Sequence, residues 1–268
     1  MKITALSSFC VDYFPELDKV YVGGNSLNFA VQCKISGVED VSVIGAIGND
    51  SYGDLIMQYL KKVNVDHQRL YRIDAPTASN KIFISANGDR YFKEDSWQGG
   101  AFDKFRLSGT DWKYLEKRDL IAMPAGDPNL KSLLDRRHNE QLICIDFLDY
   151  HTLDFIEKLI HKIDVTFLSV SEDLLKNLET LSKKSGKMIV ATLGAKGSIA
   201  FYRNKTYVQE AIKVKEVIDT TGCGDAFQAA FAIEWYASGD IEKSLFKGAL
   251  AASHVTAFIG GVKQSLKM

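Results

Sequence analysis

The sequence lacks the features that would place it in a membrane, on a nucleic acid or in a disulfide-rich fold. No apolar run approaches the roughly 18 residues of a transmembrane helix. The net charge of −1 leaves no basic excess for a nucleic acid or an anionic membrane. The four cysteines and five histidines are scattered without a CxxC pair, which predicts free thiols and no zinc site. We therefore expect a cytoplasmic protein with neither a nucleic-acid nor a membrane partner.

What is present fits one globular domain of ordinary size. The chain has 268 residues, of which 46% are hydrophobic and 25% are charged. Strand-like and helix-like segments alternate along most of it, which indicates parallel βαβ units. We predict one α/β domain over residues 1–268, with a doubly wound, mainly parallel sheet flanked by helices.

The expected elements follow from apolar spacing and capping residues. Strands are predicted at residues 3–11, 41–47, 119–123, 142–146, 165–169 and 188–192, with a hairpin over residues 198–208. Helices are predicted at residues 26–36, 51–63, 111–117, 153–161, 172–185, 224–237 and 241–258. The first strand begins where a signal peptide would show a longer apolar core.

One part of the chain departs from this alternation and suggests a small separate sheet. Its predicted strands are residues 19–22, 68–73, 81–85 and 90–92. Asn87-Gly88 is typical of a type I′ hairpin turn, in which both central residues need positive φ. We expect a discontinuous β lid from about residues 13–22 and 68–95.

The strongest motif is DTTGCGD at residues 219–225. We expect a strand to end at Asp219, a glycine-bounded turn to follow and a helix to begin. The unpaired N–H groups of a first helical turn and the helix dipole make such a turn a phosphate cradle. A phosphate would repel Asp225, so its presence makes sense if it accepts the proton of a substrate hydroxyl. The alternative is that Asp225 only complements the helix dipole and the glycines only make a tight turn.

Three weaker features precede this motif. GGNSLN at residues 23–28 opens a helix, and its asparagines suit sugar hydroxyls because they both donate and accept hydrogen bonds, although Asn25 could serve only as a cap. Asp12 is expected at the carboxyl end of the first strand, where open α/β sheets bind ligands. TLGAKGS at residues 192–198 has glycines that permit close approach to a nucleotide, with Lys196 able to face phosphate.

The order of these motifs resembles that of the ribokinase-like (PfkB) carbohydrate kinases across nearly the whole chain. The resemblance implies a ribokinase-like fold and transfer of the γ-phosphoryl group of ATP to a sugar hydroxyl. It also implies Mg²⁺, a monovalent cation such as K⁺ as a further candidate, and Asp225 as the general base. The other residues carried over are an anion hole of Gly222, Cys223 and Gly224, sugar contacts at Asp12, Gly24, Asn25 and Asn28, and nucleotide contacts at Thr192, Gly194, Lys196, Gly197 and Thr221.

Two positions depart from the family pattern. Members usually have Ala where this chain has Cys223, but the position would act through its amide, so a small Cys should serve. Members also carry NxxE after a middle strand, which organises Mg²⁺ through water. The matching segment here has Ser169 in the Asn position and retains Glu172. We expect atypical metal handling, with Glu172 acting through water and not as a direct ligand.

Several smaller features are similar to one member class, the bacterial fructoselysine 6-kinases. They are the short chain, the GGNSLN variant, the turn at residues 88–90 and the stretches at residues 102–114 and 146–149. This similarity implies transfer to the C6 hydroxyl of a fructosamine, with Arg90 reaching over the substrate from the lid. A solvated hairpin charge is an equal interpretation of Arg90. Asp146 and Asp149 are candidates for a polar pocket.

Other interpretations remain open. A kinase of another sugar or of a nucleoside would keep the same motifs, and a non-catalytic sugar-binding protein need not have retained Asp225. A dinucleotide-dependent oxidoreductase is disfavoured, because the first strand leads into CVDYFPEL and not into GxGxxG. Lid sheets of the family pair between subunits, so the resemblance also admits a homodimer through the lid.

Overall fold

A computed structural model describes residues 1–149 and 151–264 of the chain. Its strands are β1 (Lys2–Ser7), β2 (Cys10–Phe14), β3 (Lys19–Gly23), β4 (Asp40–Gly48), β5 (Asp66–Ile73), β6 (Ala78–Lys81), β7 (Phe83–Ile84), β8 (Arg90–Tyr91), β9 (Trp97–Gln98), β10 (Leu120–Pro124), β11 (Leu142–Asp146), β12 (Val165–Ser169), β13 (Met188–Thr192), β14 (Ser198–Tyr202) and β15 (Lys205–Gln209). Its α-helices are α1 (Asn25–Ile35), α2 (Ser51–Lys62), α3 (Ala101–Lys104), α4 (Gly109–Leu115), α5 (Leu130–Arg136), α6 (Leu153–Leu159), α7 (Leu175–Ser185), α8 (Cys223–Ser238) and α9 (Ile241–Val255).

The main sheet confirms the predicted α/β architecture. Within the described residues it has nine strands in the order β15-β14-β13-β12-β11-β10-β1-β4-β5. Strands β13 to β5 along this order are parallel, whereas β14 and β15 form an antiparallel hairpin at one edge. Because parallel strands end on the same side, the carboxyl ends of β1, β11, β12 and β13 line a common edge.

Helices cover both faces of this sheet, and the strands alternate between two apolar cores. In β10, Leu120 packs in the core beneath α1, α8 and α9, whereas Ile121 packs in the opposite core beneath α4 to α7. This alternation is what buries both faces of a parallel sheet. None of the helices in the described ranges is both long and apolar enough to cross a bilayer.

The start of the chain corrects the expectation of one strand over residues 3–11. β1 ends at Ser7, which has a φ of 72°, and a tight turn carries the chain into β2. β2 belongs to a separate four-stranded sheet in the order β3-β2-β6-β9. Asp12 therefore lies within the small sheet and not at the carboxyl end of the first strand.

One strand that was expected in the small sheet belongs to the main sheet instead. β5 was expected in the lid as residues 68–73, but it pairs in parallel with β4 at the edge of the main sheet. A buried Leu70 in this strand joins the main core, which accounts for the pairing.

The hairpin of β7 and β8 forms where expected, but with a different turn. Gly88 has a φ of 85° and donates its N–H to the carbonyl of Ser85, whereas Asn87 is not in the positive-φ region. The loop thus spans five residues between the paired Ile84 and Arg90 and is not a two-residue type I′ turn.

A core substitution should test how firmly α8 is held on the sheet. Phe231 of α8 is fully buried, and its ring meets that of Phe167 in β12 edge-on at 5.5 Å. We expect Phe231→Ala to lower the free energy of unfolding by about 3–5 kcal/mol, because it leaves a cavity between helix and sheet. Urea denaturation would measure the loss. Phe246→Ala on α9 is the control, since that ring is 45% exposed, and an equal loss in both variants would contradict this packing.

Candidate active site

The phosphate-cradle motif forms the start of α8, but no strand precedes it. Residues 210–220 are irregular, so the expected strand ending at Asp219 is wrong. The turn is held instead by the Asp219 carboxylate. Its Oδ1 accepts from the N–H and the hydroxyl of Thr221 at 2.8 and 2.7 Å, and its Oδ2 accepts from the N–H of Gly260 at 2.7 Å.

Two glycines pack against each other beneath this turn. Gly222 is the N-cap of α8 with a φ of 77°, and a Cβ there would lie 2.4 Å from the Cα of Gly261. Gly260 and Gly261 lie outside the motifs recognised in the sequence. The signal available was a glycine pair soon after the last predicted helix, where two backbones could approach closely.

The first turn of α8 presents backbone donors. In the described part of the chain, the N–H groups of Gly222, Gly224 and Asp225 have no hydrogen-bond partner, whereas the N–H of Cys223 donates to the carbonyl of Thr220 at 3.2 Å. Two of the three amides expected in the anion hole are therefore available, and the third has a partner within the turn. Unpaired amides at a helix N-terminus are the geometry that binds a phosphate or an oxyanion.

The carboxylate of Asp225 lies between two asparagines of α1. Asn25 Nδ2 donates to its Oδ1 at 2.7 Å, and Asn28 Nδ2 donates to its Oδ2 at 2.8 Å. Asn25 Nδ2 also lies 2.7 Å from Oδ2 of Asp146, at the end of β11. The Oδ1 of Asn28 is buried and has no partner among the described residues. It could accept a hydrogen bond from a ligand hydroxyl.

The start of α1 depends on the two glycines of the second motif. Gly24 caps the helix with a φ of 104°, and a Cβ there would lie 2.5 Å from the carbonyl oxygen of Ser8. A Cβ at Gly23 would lie 1.9 Å from an oxygen of the Asp12 carboxylate. These glycines therefore leave room for the Asp12 side chain and for the turn after β1. No side chain caps the helix, so the interpretation of Asn25 as only an N-cap is wrong.

Burial changes the acidity of the carboxyl groups in this cluster. The pKa of Asp225 is raised to about 7, chiefly by desolvation and in part by the charges of Asp146 and Asp12, against a lowering by the Asn28 hydrogen bond and the charge of Arg90. Desolvation also raises the pKa of Asp12 to about 7, and it raises that of Asp146. Asp225 as a whole residue is half-buried, although its carboxyl group is desolvated.

Arg90 supplies positive charge to this cluster. Its charge lowers the pKa of Asp12, Asp146 and Asp225 alike, which places its guanidinium group within electrostatic reach of all three. Its guanidinium carbon also lies 4.9 Å from the centre of the Phe92 ring. The structure therefore favours the interpretation in which Arg90 acts on the site over the one in which it is only a solvated charge on the hairpin.

The expected nucleotide loop lies at the same edge of the sheet. β13 ends at Thr192, which pairs with Ser169 at the end of β12. Gly197 has a φ of 98°, and a Cβ there would lie 2.1 Å from the carbonyl oxygen of Gln209, so only glycine fits. Lys196 Nζ lies 2.6 Å from Oε2 of Glu172, and both side chains are exposed.

Two of the residues expected at the site, Thr221 and Asp149, do not present a free side chain to it. The hydroxyl of Thr221 is occupied by Asp219, so a nucleotide contact from this residue would use its backbone. Asp149 is exposed, whereas Asp146 is buried in the cluster. Asp146 is the stronger of the two pocket candidates, because it shares the Asn25 donor with Asp225.

Together the fold and this cluster define a phosphotransferase of the ribokinase fold. Solved structures with the same fold include a ribokinase from Thermotoga maritima, with a TM-score of 0.77, 22% identity and coverage of 97% of this chain and 94% of the other. A ribokinase from Arabidopsis thaliana, complexed with ribose and ATP, has a TM-score of 0.77, 20% identity and coverage of 97% and 93%.

The profile of the pfkB family carbohydrate kinases matches residues 16–264, and the chain belongs to this family. It is an ATP-dependent carbohydrate kinase. Its relatives include fructoselysine 6-kinase of Escherichia coli, 26% identical over 261 residues that cover 96% of this chain and 98% of the relative. Fructosamine kinase of Bacillus subtilis is 27% identical over 271 residues, with coverage of 97% and 92%. The resemblance stated from the motifs is confirmed.

The raised pKa of Asp225 predicts a pH-dependent gain in stability when the carboxyl group is removed. At pH values between 3.8, the ordinary pKa of an aspartate, and about 7, Asp225 is protonated in the folded protein but ionised in the unfolded chain. The contribution of this group to stability therefore falls as pH rises through this range. Asp225→Asn should therefore raise Tm by a few degrees relative to the unsubstituted protein at about pH 8, and by less at about pH 5. The new amide can donate to Asn28 Oδ1 once the side-chain amide of Asn28 rotates, because Nδ2 is the Asn28 atom that faces position 225.

Thermal denaturation of both proteins across this pH range would measure the difference. Asp154→Asn, at an exposed position in α6, should shift Tm little and without this trend. A Tm difference for Asp225→Asn that stays constant with pH would contradict a raised pKa.

Proposed function

We propose that this kinase transfers the γ-phosphoryl group of ATP to the C6 hydroxyl of a fructosamine such as fructoselysine. The observation that carries the reaction is the Asp225 carboxylate, held by Asn25 and Asn28 beside the unpaired amides of the α8 N-terminus. The acceptor class is supported by the fructoselysine and fructosamine kinases among the relatives, which match nearly end to end.

In the proposed mechanism, Asp225 takes the proton of the attacking hydroxyl. With a pKa of about 7, its carboxylate is a stronger base than an ordinary aspartate and is still largely ionised just above neutral pH. The Asn28 Oδ1 and the Asp12 and Asp146 carboxylates are acceptors for the other hydroxyls of the sugar. A fructosamine also carries an amine, and its positive charge would complement a cluster with more carboxylates than cations.

The amides at the head of α8 would stabilise the charge that builds on the transferred group. Removing a single oxyanion donor costs enzymes about 3–4 kcal/mol of transition-state stabilisation. Gly222 and Gly224 offer two such donors at the start of α8, since their N–H groups have no partner among the described residues. The helix dipole adds partial positive charge at the same place.

Mg²⁺ fits this site as an ion held chiefly by nucleotide phosphates. Within the described ranges, no group of three acidic, His or Cys side chains could hold a metal. Glu172 is exposed at the end of β12 and could contact a hydrated ion if it left Lys196. When bound, Mg²⁺ would neutralise phosphate charge.

Two further expectations concern the small sheet. We propose that the small sheet and the separate β7–β8 hairpin together act as a lid that excludes water from the transfer, since β2 of the sheet supplies Asp12 and the hairpin supplies Arg90. Exposed aromatic residues in this lid, Trp97 in β9 and Phe92 just after β8, support a homodimer through it.

An acceptor panel tests the substrate. ATP consumption would be followed by coupled ADP detection with fructosamines, hexoses, pentoses and nucleosides. We expect the highest kcat/KM with fructoselysine, and a loss of about 10²–10⁴ in kcat for Asp225→Asn, because general-base catalysis contributes that much. Asp154→Asn is the matched control with unchanged turnover.

Each outcome of the panel is informative. Preference for a nucleoside would replace the fructosamine and agree with the 25% identical nucleoside kinase of Methanocaldococcus jannaschii among the relatives. Tight sugar binding without turnover on any acceptor would favour a non-catalytic sugar-binding protein. Full activity in Asp225→Asn would remove the proposed base.

The rate should also depend on pH in a defined direction. Because Asp225 must be ionised to accept a proton, kcat/KM should rise about tenfold per pH unit below pH 7 and level off above it. Asp12 also has a pKa of about 7, so Asp12→Asn serves as the control. It should raise KM and keep an inflection, moved to a somewhat lower pH because the charge of Asp12 no longer raises the pKa of Asp225. An inflection near pH 4, or one lost in Asp12→Asn alone, would contradict the assignment of Asp225.

A further inference from the structure

The β7–β8 hairpin is docked on the turn that precedes α8, although 130 residues separate them in sequence. Its tip is a compact loop, in which the Ser85 hydroxyl donates to the carbonyl of Asp89 at 2.8 Å and Asn87 Nδ2 donates to the Asp89 carboxylate at 2.8 Å. Gly88 is buried within this loop. The hairpin strands pair only with each other in the described sheets. Its base is anchored to β2 by the Ile82 N–H, which donates to the carbonyl of Tyr13 at 2.9 Å, and its far end is held by contacts made by the tip.

Two reciprocal hydrogen bonds join the tip to Thr220. The N–H of Thr220 donates to the carbonyl of Gly88 at 3.1 Å, and the N–H of Arg90 donates to the Thr220 hydroxyl at 3.1 Å. The approach is close enough that a Cβ at Gly88 would lie 2.7 Å from the carbonyl oxygen of Val217. A side chain at Gly88 would therefore push the hairpin away from the turn.

Thr220 also contacts the phosphate-binding turn. Its carbonyl accepts from the N–H of Cys223, the first residue of α8, at 3.2 Å. One residue thus bonds to the hairpin through its N–H and hydroxyl, and to the helix start through its carbonyl. Arg90, which faces the carboxylates, is the same residue whose N–H reaches Thr220.

We propose that Thr220 is a positioning residue that couples the β7–β8 hairpin to the anion-binding turn of α8. A sugar held beneath Arg90 fixes the hairpin, and the hairpin fixes Thr220 and, through it, the first amides of α8. The two free amides of the cradle, those of Gly222 and Gly224, are then held in place when an acceptor is present. This inference rests on the proposed function, because it assigns Thr220 to the same phosphoryl transfer.

The kinetic test uses Thr220→Val, which removes the hydroxyl at nearly constant volume, and Thr220→Ser, which retains it. We expect Thr220→Val to lower kcat about tenfold, near the upper end of what one neutral hydrogen bond supplies, with KM for the sugar within about twofold. Thr220→Ser should restore most of the rate. Thr206→Val, at an exposed position of β15, is the control and should leave the rate unchanged. Unchanged kcat in Thr220→Val, or no rescue by Ser, would overturn the proposal.

A double-mutant cycle tests whether the two contacts act as one unit. Gly88→Ala displaces the hairpin tip from the same turn, so combining it with Thr220→Val should cost little more in kcat than the larger single effect. If the fold-losses in kcat of the two single variants multiply in the double variant, the two contacts act independently and the coupling is contradicted.

Hydrogen exchange separates this proposal from the proposed function, because it needs no turnover. In Thr220→Val, amide exchange should quicken in both Phe83–Tyr91 and residues 219–225, and Thr220→Ser should resemble the unsubstituted protein. Unchanged exchange in either segment would refute the coupling, whichever acceptor the enzyme uses. If no acceptor is phosphorylated but both segments quicken, the coupling stands and the proposed function fails.

Discussion

The placement of one carboxyl group, that of Asp225, is the constraint on which this structure depends. A carboxylate at a helix N-terminus is favoured by the dipole, but burial and the charge of Asp146 oppose its ionisation, and its pKa rises to about 7. Two asparagine amides hold it in place without neutralising it. The protein therefore holds a buried carboxyl group between α1 and α8, beside the unpaired amides at the start of α8. Function accounts for a placement that stability alone disfavours.

The rest of the fold brings distant segments to this carboxyl group. The parallel sheet delivers Asp146 at the end of β11, and the turn after β1 sends the chain into β2, which carries Asp12. Gly24 and Gly222 allow backbones to come closer than a Cβ permits, and Gly23 leaves room for the Asp12 carboxylate. Contacts from α8 to both α1 and α9 fix the direction of the helix whose first turn carries Asp225. The elements that pack the core around α8 are thus also the ones that position the carboxylates of the site.

Much of this could be predicted from the sequence, for identifiable physical reasons. Central strands such as β11, β12 and β13 are short, apolar and bounded by turns, and they form at the predicted residues. Asp225, Asn25 and Asn28 were chosen by motif, and the structure brings them together. The errors concern tertiary contacts. Local pattern could not show that Ser7 interrupts a strand, that β5 pairs with β4, or that Asp219 braces a turn with no strand before it. Those choices depend on partners far away in sequence.

The most direct test of the account is the pKa of Asp225 itself. Carbon-13 NMR of aspartate-labelled protein, with the Asp225 signal assigned by its loss in Asp225→Asn, would follow the carboxyl group through a pH titration. The account predicts a midpoint near 7, well above the ordinary value of 3.8. A midpoint near 4 would mean that the group is an ordinary solvated acid, and it would contradict Asp225 as a desolvated base held between Asn25 and Asn28.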